Sequence, residues 1–196
     1  MTVKVVSLVF VVLAICMLAA WYLIPKFLEQ PSYEVIKKDG KIEIRSYKAI
    51  LLQSVKVSGE QYEALRQGFR PLVRYIGAKE RSGEKISMTA PVMQAISEDD
   101  GGWVVSFSMP SKYSKNNLPN PNNDEVYTEQ IHPTFAAVIS FSGRANSDLL
   151  VSKTKELMKW LDKSGYEANG QPRYMFYNDP STPPFLRLNE VMISVK

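Results

Sequence analysis

A row of cationic side chains is the first candidate for chemistry in this chain of 196 residues. Arg66, Arg70 and Arg74 are spaced four residues apart, so a helix would place them in one row. A guanidinium binds a carboxylate through two parallel hydrogen bonds, and such a row therefore suits a ligand that carries carboxylates. The same spacing is typical of a solvated helix face, and spacing alone leaves both interpretations open.

Metal-ligating and nucleophilic residues are scarce, because the chain has one histidine and one cysteine. His132 precedes Pro133 in a predicted turn between two strands, which is typical of an exposed loop residue and makes it a weak candidate for metal ligation. Cys16 lies in an apolar stretch and has no second cysteine with which to form a disulfide or a thiolate site. Without a catalytic triad, a P-loop or an HExxH motif, the sequence predicts a binding protein and no enzyme.

The composition is that of an ordinary globular protein, with 45% apolar and 22% charged residues. The formal charge is +4, but Lys4 and Lys26 flank the apolar N-terminal stretch, and without them 22 basic and 20 acidic residues leave only +2. Nucleic-acid binding usually needs a larger basic surplus on one face. We therefore expect no nucleic-acid partner.

The N-terminal stretch has the length and composition of a membrane span. Val5 to Ile24 is uncharged and would extend about 30 Å as a helix, which matches the hydrocarbon thickness of a bilayer. The sequence thus predicts a single-pass membrane anchor over residues 1–26, a linker over 27–32 and a domain over 33–196. A cleaved signal peptide is the alternative, although its small-residue cleavage site is poorly matched. Lysines on both sides leave the orientation in the bilayer open.

Short strand patterns and two helical patterns make up the domain. The first helix, with Pro71 expected to kink it, carries Tyr62, Leu65, Phe69, Leu72 and Ile76 on a predicted buried face. The second covers Asp148 to Ser164, with Gly165 as its C-terminal stop. Strands are predicted over Tyr33–Lys38, Lys41–Tyr47, Ala49–Val57, Ile86–Met93, Trp103–Met109, Glu125–Ile131, Thr134–Phe141, Arg173–Tyr177 and Glu190–Val195.

The order of these elements repeats. A strand, a Ser-Gly break, a helix and two strands occur twice, with Gly59 and Gly143 at equivalent places. Each half has a single helix and about four strands, so neither can bury a core alone and the two must pair. We expect an α+β domain built from two similar strand-helix-strand halves, with a barrel-like sheet and a groove between the halves.

Several ordered blocks of sequence carry a resemblance to a known family. They are Tyr33–Val35, Glu43–Tyr47, Gly68-Phe69, Tyr75-Ile76, Ile86–Val92, Phe107–Pro110, Pro119–Pro121, Phe141–Gly143 and Arg187–Val191. From about Pro31 to Val195 the chain resembles the SOUL haem-binding family. The resemblance implies a distorted antiparallel β-barrel with two helices, and reversible binding of haem or another tetrapyrrole by a carrier, buffer or scavenger.

The resemblance also implies where the ligand lies, in a groove between the first helix and the loop joining the last two strands. Tyr177 and Phe185 would form part of its wall, with Arg187 beside them. The arginines at 66, 70 and 74 would then pair with the propionates. No histidine matches an axial ligand on the helix or this loop. A small-molecule sensor or protein-interaction domain that uses the same groove is the alternative function.

Overall fold

The fold is described from a computed structural model of the chain, which describes residues 6–13, 16–17, 19, 27–79, 81–99 and 101–196. The two main helices are α1 (Gln61–Ile76) and α2 (Ser147–Ser164), and a 3-10 turn covers Pro184–Leu186. The strands are β1 (Tyr33–Asp39), β2 (Ile42–Tyr47), β3 (Ile50–Val57), β4 (Val92–Ile96), β5 (Trp103–Ser108), β6 (Val126–Ile131), β7 (Thr134–Phe141), β8 (Arg173–Phe176) and β9 (Asn189–Val195).

All nine strands belong to one antiparallel sheet with the order β1-β2-β7-β9-β8-β4-β5-β3-β6. Within the described residues β1 and β6 pair on one side only, so the sheet is open. The α+β class is confirmed, whereas the predicted barrel is wrong. Closure would require β1 to pair with β6, and β1 instead presents an exposed outer edge along its whole length.

The two predicted halves exchange strands across the sheet. The antiparallel pair β4 and β8 lies at the centre of the sheet. The next strand of the same half lies beside each of them, β5 beside β4 and β9 beside β8. Towards the two edges of the sheet, strands from different halves pair with each other. β2 of the first half pairs with β7 of the second, and β6 of the second half pairs with β3 of the first. Sequence repetition indicated two halves, but it carried no information on this exchange.

Both helices pack on one face of the sheet. Leu150, Leu157 and Leu161 of α2 are buried against Ile139 and Ile193. Leu72 and Tyr75 of α1 are buried against β3 and β5. Before each helix a glycine has a positive φ, 105° at Gly59 and 118° at Gly143, so these two breaks require glycine.

The face of the sheet away from the helices is also buried. Met192 alternates along β9 with residues that contact α2, and it packs in a cluster with Leu52, Met93, Val138 and Met175, to which neither helix contributes. Leu52 lies on β3 and Val138 on β7, strands that are not neighbours in the sheet. The sheet therefore curves around this central cluster.

Two predicted elements need correction in detail. The strand predicted over Ile86–Met93 begins only at Val92, because Pro91 has no amide hydrogen with which to join a ladder. The segment before it is irregular. Helix α1 runs through Pro71 to Ile76, and its buried residues include Ala64, Gly68 and Leu72, whereas Tyr62 and Phe69 are exposed by 53% and 39%. The predicted buried face was therefore only partly right.

The predicted membrane anchor is also corrected. Residues 6–13, 16–17 and 19 of the predicted span are helical. Across the described residues, no helix combines the length and the apolar character that crossing a membrane requires. Lys4, Lys26 and parts of the predicted span, residues 5, 14–15, 18 and 20–24, lie outside the described residues. The uncharged composition alone was not sufficient ground for the anchor.

Candidate functional site

A cleft of about 550 Å³ lies between α1 and the end of β8. This volume is within the range of pockets that bind small molecules and cofactors. Four parts of the chain form it: one face of α1, the irregular segment before β4 with the first residue of that strand, the end of β8 with the turn after it, and Leu28 of the N-terminal segment. The lining residues are Leu28, Tyr62, Leu65, Arg66, Phe69, Arg70, Met88, Thr89, Ala90, Val92, Phe176, Tyr177, Asn178, Asp179 and Pro180.

The helix contributes a continuous stripe of side chains to the cleft. Tyr62, Leu65, Arg66, Phe69 and Arg70 follow the spacing i, i+3, i+4, i+7 and i+8, which is one face of an α-helix. The stripe is apolar along its centre and cationic at one side. It therefore offers contact area for a flat apolar ligand, together with two guanidinium groups for anionic substituents.

Close packing of α1 on the sheet fixes the position of this stripe. Gly68 is buried on the opposite side of the helix, and a Cβ placed there would lie 2.7 Å from Cβ of Val105. Phe69 makes an edge contact with Phe107, with the ring centroids 5.2 Å apart. Arg66 forms an exposed ion pair with Glu63 at 3.1 Å, which a ligand carboxylate can replace at little cost.

The second wall is held by hydrogen bonds to neighbouring strands and to the N-terminal segment. The Thr89 hydroxyl donates to the Ser108 carbonyl at 2.5 Å. The Ala90 amide donates to the Glu29 carbonyl at 2.9 Å, and the Glu29 carboxylate accepts from the Ser111 amide at 2.6 Å. These bonds place Leu28 in the cleft. Residues 27–32, predicted as a linker, thus include part of the cleft wall.

A buried polar network anchors the third wall through Tyr177. Its hydroxyl donates to Oε2 of Glu190 at 2.6 Å. Arg45 donates to both oxygens of Glu190, at 2.8 and 3.0 Å, and its Nε donates to Glu43 at 2.8 Å. The Ser140 hydroxyl donates to Oε1 of Glu190 at 2.8 Å. The side chains of Arg45 and Glu190 are each only 4% exposed, so this network replaces hydration for two buried charges.

The network raises the pKa values of both Arg45 and Tyr177. Burial opposes the charge on Arg45, but hydrogen bonding and attraction to Glu190 outweigh it and raise the pKa of the guanidinium. Burial and the nearby Glu190 carboxylate raise the pKa of Tyr177 well above its ordinary value. Both groups therefore keep their protons at neutral pH. Tyr177 is a fixed hydrogen-bond donor to Glu190.

The structure brings together only some of the predicted site residues. Arg66, Arg70 and Tyr177 line the cleft. Arg74 is exposed one turn further along α1 and is not among the lining residues. Phe185 is 71% exposed outside the cleft. Arg187 donates to the carbonyls of Thr182, at 2.7 Å, and of Pro180, so it holds the shape of the loop.

The weak metal candidate His132 is exposed between β6 and β7, away from the lining residues. Among the described residues, no group of three or more His, Cys, Asp or Glu side chains could hold a metal ion. Cys16 is exposed and does not line the cleft.

Sequence reasoning missed Leu28 and Met88 as lining residues. Leu28 was assigned to a linker, and only its apolar character before Pro31 could have indicated contact with the domain. Met88 was assigned to a regular strand with one buried side. Its position in an irregular segment before Pro91 was the available signal, since a proline there disfavours a continuous ladder.

Comparisons with known proteins give one family for almost the whole domain. Residues 28–194 match the family model described as "SOUL heme-binding protein". "Heme-binding protein 1" of Sus scrofa is 24% identical over 163 residues, covering 80% of this chain and 85% of that protein. "Heme-binding protein 2" of Mus musculus is 26% identical over 182 residues, covering 86% and 87%.

Solved structures share the fold at lower identity. The EcmrR C-terminal domain has a TM-score of 0.60 and 13% identity, with 84% of this chain and 98% of that chain covered. A structure titled as a hydrolase from Listeria innocua has a TM-score of 0.55 and 12% identity, with 82% and 94% covered. At these identities the likeness concerns the fold alone.

Proposed function

Because the chain belongs to the SOUL heme-binding protein family, we propose that its cleft binds haem or a related tetrapyrrole reversibly. The tetrapyrrole is the cargo of the site. The protein acts as a carrier, buffer or scavenger and performs no chemistry on it. The observation that carries the proposal is the combination of an apolar cleft of about 550 Å³ with Arg66 and Arg70 on a single face of α1.

The residues present fit such a ligand. A tetrapyrrole needs a slot with apolar walls for the macrocycle and cations for its carboxylates. Leu28, Leu65 and Phe69 supply apolar contact, and the two arginines supply the cations. Asp179 lines the opposite side of the cleft, and its pKa is lowered by its hydrogen bonds with Ser181, so it is ionised at neutral pH. Repulsion from this carboxylate favours one orientation, with the propionates towards α1.

The test is a titration of the purified full chain with haemin, followed by the Soret band and by quenching of tryptophan fluorescence. We expect saturable binding in the micromolar range or tighter. Arg66→Glu and Arg70→Glu should each weaken binding by about tenfold, because each removes one charge-assisted hydrogen bond and adds a repulsive charge.

Arg74→Glu is the matched control, since it makes the same charge change on the same helix outside the cleft lining. We expect it to change the dissociation constant by less than about twofold, as for exposed charges in general. Absence of a saturable Soret shift would refute the proposal. Thermal stabilisation by other apolar ligands but not by haemin would instead favour the sensor or interaction function.

A further inference from the structure

The cleft lining contains few side chains that can donate electrons to iron. Haem iron accepts axial ligands from His, Cys, Met or Tyr side chains. Within the lining of the described cleft these types are represented by Tyr62, Tyr177 and Met88. Thr89 and Asp179 add a hydroxyl and a carboxylate.

Most of these groups are already engaged. The Tyr177 hydroxyl donates to Glu190 and lies in the buried network. The Thr89 hydroxyl donates to Ser108. The Asp179 carboxylate accepts from the Ser181 amide at 2.8 Å in a turn. Each of these atoms would have to break a hydrogen bond in order to reach a ligand.

Tyr62 differs from the other donors in its position. Its side chain is 53% exposed at the N-terminal end of the cleft stripe on α1. Its hydroxyl makes no hydrogen bond with any residue that the structure describes. Met88 is half-buried and packs against the apolar cluster beneath α1, so its thioether contributes to packing.

We propose that the phenolate oxygen of Tyr62 is the axial ligand of ferric iron when the cleft holds haem. This inference rests on the proposed function. Coordination breaks the Oη–H bond and forms an Oη–Fe bond, and the proton passes to solvent. The iron stays ferric throughout, so no oxidant or reductant takes part.

The spacing along α1 suits this assignment. The propionates extend from one edge of a haem, whereas the iron is at its centre. Tyr62 lies one helical turn before Arg66 and two turns before Arg70, which are offsets of about 6 and 12 Å along the helix axis. A macrocycle lying along the stripe therefore places its carboxylates at the arginines and its centre towards Tyr62.

The phenolate oxygen of Tyr62 and the thioether sulfur of Met88 also differ in the oxidation state of iron that they favour. A thioether is a soft ligand that favours low oxidation states, whereas an anionic oxygen suits ferric iron. Tyr62 is exposed and can turn towards the ligand without a change in the core. Met88 would have to leave its apolar contacts to reach the iron.

The experiment compares haemin with metal-free protoporphyrin on the full chain and its Tyr62→Phe variant. Removing the hydroxyl should weaken haemin binding by about tenfold and abolish the phenolate-to-iron charge-transfer band in the visible spectrum. Binding of the metal-free porphyrin should change by less than about twofold, because it has no iron to coordinate. A merely structural role of Tyr62 would affect both ligands equally.

Two further variants complete the design. Tyr33→Phe removes a hydroxyl from a tyrosine that is 41% exposed on β1, outside the cleft, and should leave both affinities unchanged. Met88→Leu should leave the visible spectrum unchanged, and loss of an axial ligand signature in that variant would overturn the assignment. An unaltered ferric spectrum in Tyr62→Phe would overturn it while leaving haem binding intact. Failure of the unmodified chain to bind either porphyrin would instead refute the proposed function.

Discussion

Replacing Arg45 by methionine tests how much the buried network contributes to the fold and to the cleft. The substitution keeps most of the side-chain volume but removes four hydrogen bonds, two of them to Glu190. Glu190 would keep its bonds from Tyr177 and Ser140 but would lose its countercharge in a site where it is 4% exposed. Breaking a buried ion pair by removing one partner costs about 3–5 kcal/mol.

The assay is urea denaturation followed by circular dichroism, with the transition midpoint and slope fitted together. We expect the free energy of unfolding to fall by about 3–5 kcal/mol with an unchanged slope. For a domain of this size the same loss lowers the Tm by roughly 6–20 °C. Haemin affinity should also fall, because Glu190 holds the Tyr177 side chain in the cleft wall.

Two comparisons sharpen the measurement. The double variant Arg45→Met with Glu190→Leu removes both charges, and much of the lost stability should return, apart from about 1–3 kcal/mol for the unpaired Tyr177 hydroxyl. Arg66→Met is the exposed control and should cost no more than about 1 kcal/mol. A loss below about 1 kcal/mol for Arg45→Met would mean that Glu190 is hydrated, and the reasoning from burial would be wrong.

Three smaller predictions concern packing, the N-terminal segment and pH. Gly68→Ala should destabilise the protein by about 1–3 kcal/mol in thermal unfolding, because the added methyl overlaps Val105; an unchanged Tm would show that α1 can shift freely. Glu29→Gln weakens the hydrogen bond from Ser111 that holds Leu28 in the cleft wall, so haem should leave the cleft several-fold faster. The rate is measured by stopped-flow transfer of haem to a scavenger, and an unaltered rate would show that Leu28 does not slow the release of haem. Burial opposes ionisation of Glu43, yet hydrogen bonds from neighbouring cations lower its pKa. The contribution of Glu43 to stability is therefore complete above its ordinary pKa of about 4.3 and is lost as pH falls through its pKa in the folded state. Glu43→Gln should abolish this pH dependence when the free energy of unfolding is measured against pH.

Local patterns were sufficient to predict most of the elements of the fold. The breaks at Gly59 and Gly143 depend on a backbone conformation that few residues other than glycine adopt, so single residues indicated them. Gly165 was likewise predicted as the end of α2 and has the left-handed conformation there. The predicted barrel was wrong because closure depends on pairing between distant strands, whereas the error before β4 was local. Alternation alone extended the strand before β4 past Pro91, which cannot join the ladder.

The candidate site was predictable to the extent that it lies on one helix. Arg66 and Arg70 follow from spacing on α1, whereas Arg74 falls beyond the cleft because the helix face turns away. Arg187 looked like a ligand cation, but the loop carbonyls of Thr182 and Pro180 take its hydrogen bonds. Leu28 enters through contacts between segments far apart in sequence, and no local pattern encodes such contacts.

The exchange of β2 and β6 between the halves has a consequence for folding kinetics. The strands of the pairs β2–β7 and β3–β6 are separated in sequence by roughly half of the chain. Neither half can therefore complete its part of the sheet before the other half has been brought to it. Contacts between residues far apart in sequence slow folding, because the entropy of closing long loops is lost before the contacts form. The central pair of β4 and β8 also joins the halves. The domain should therefore fold in one slow cooperative step, without a stable half-domain intermediate.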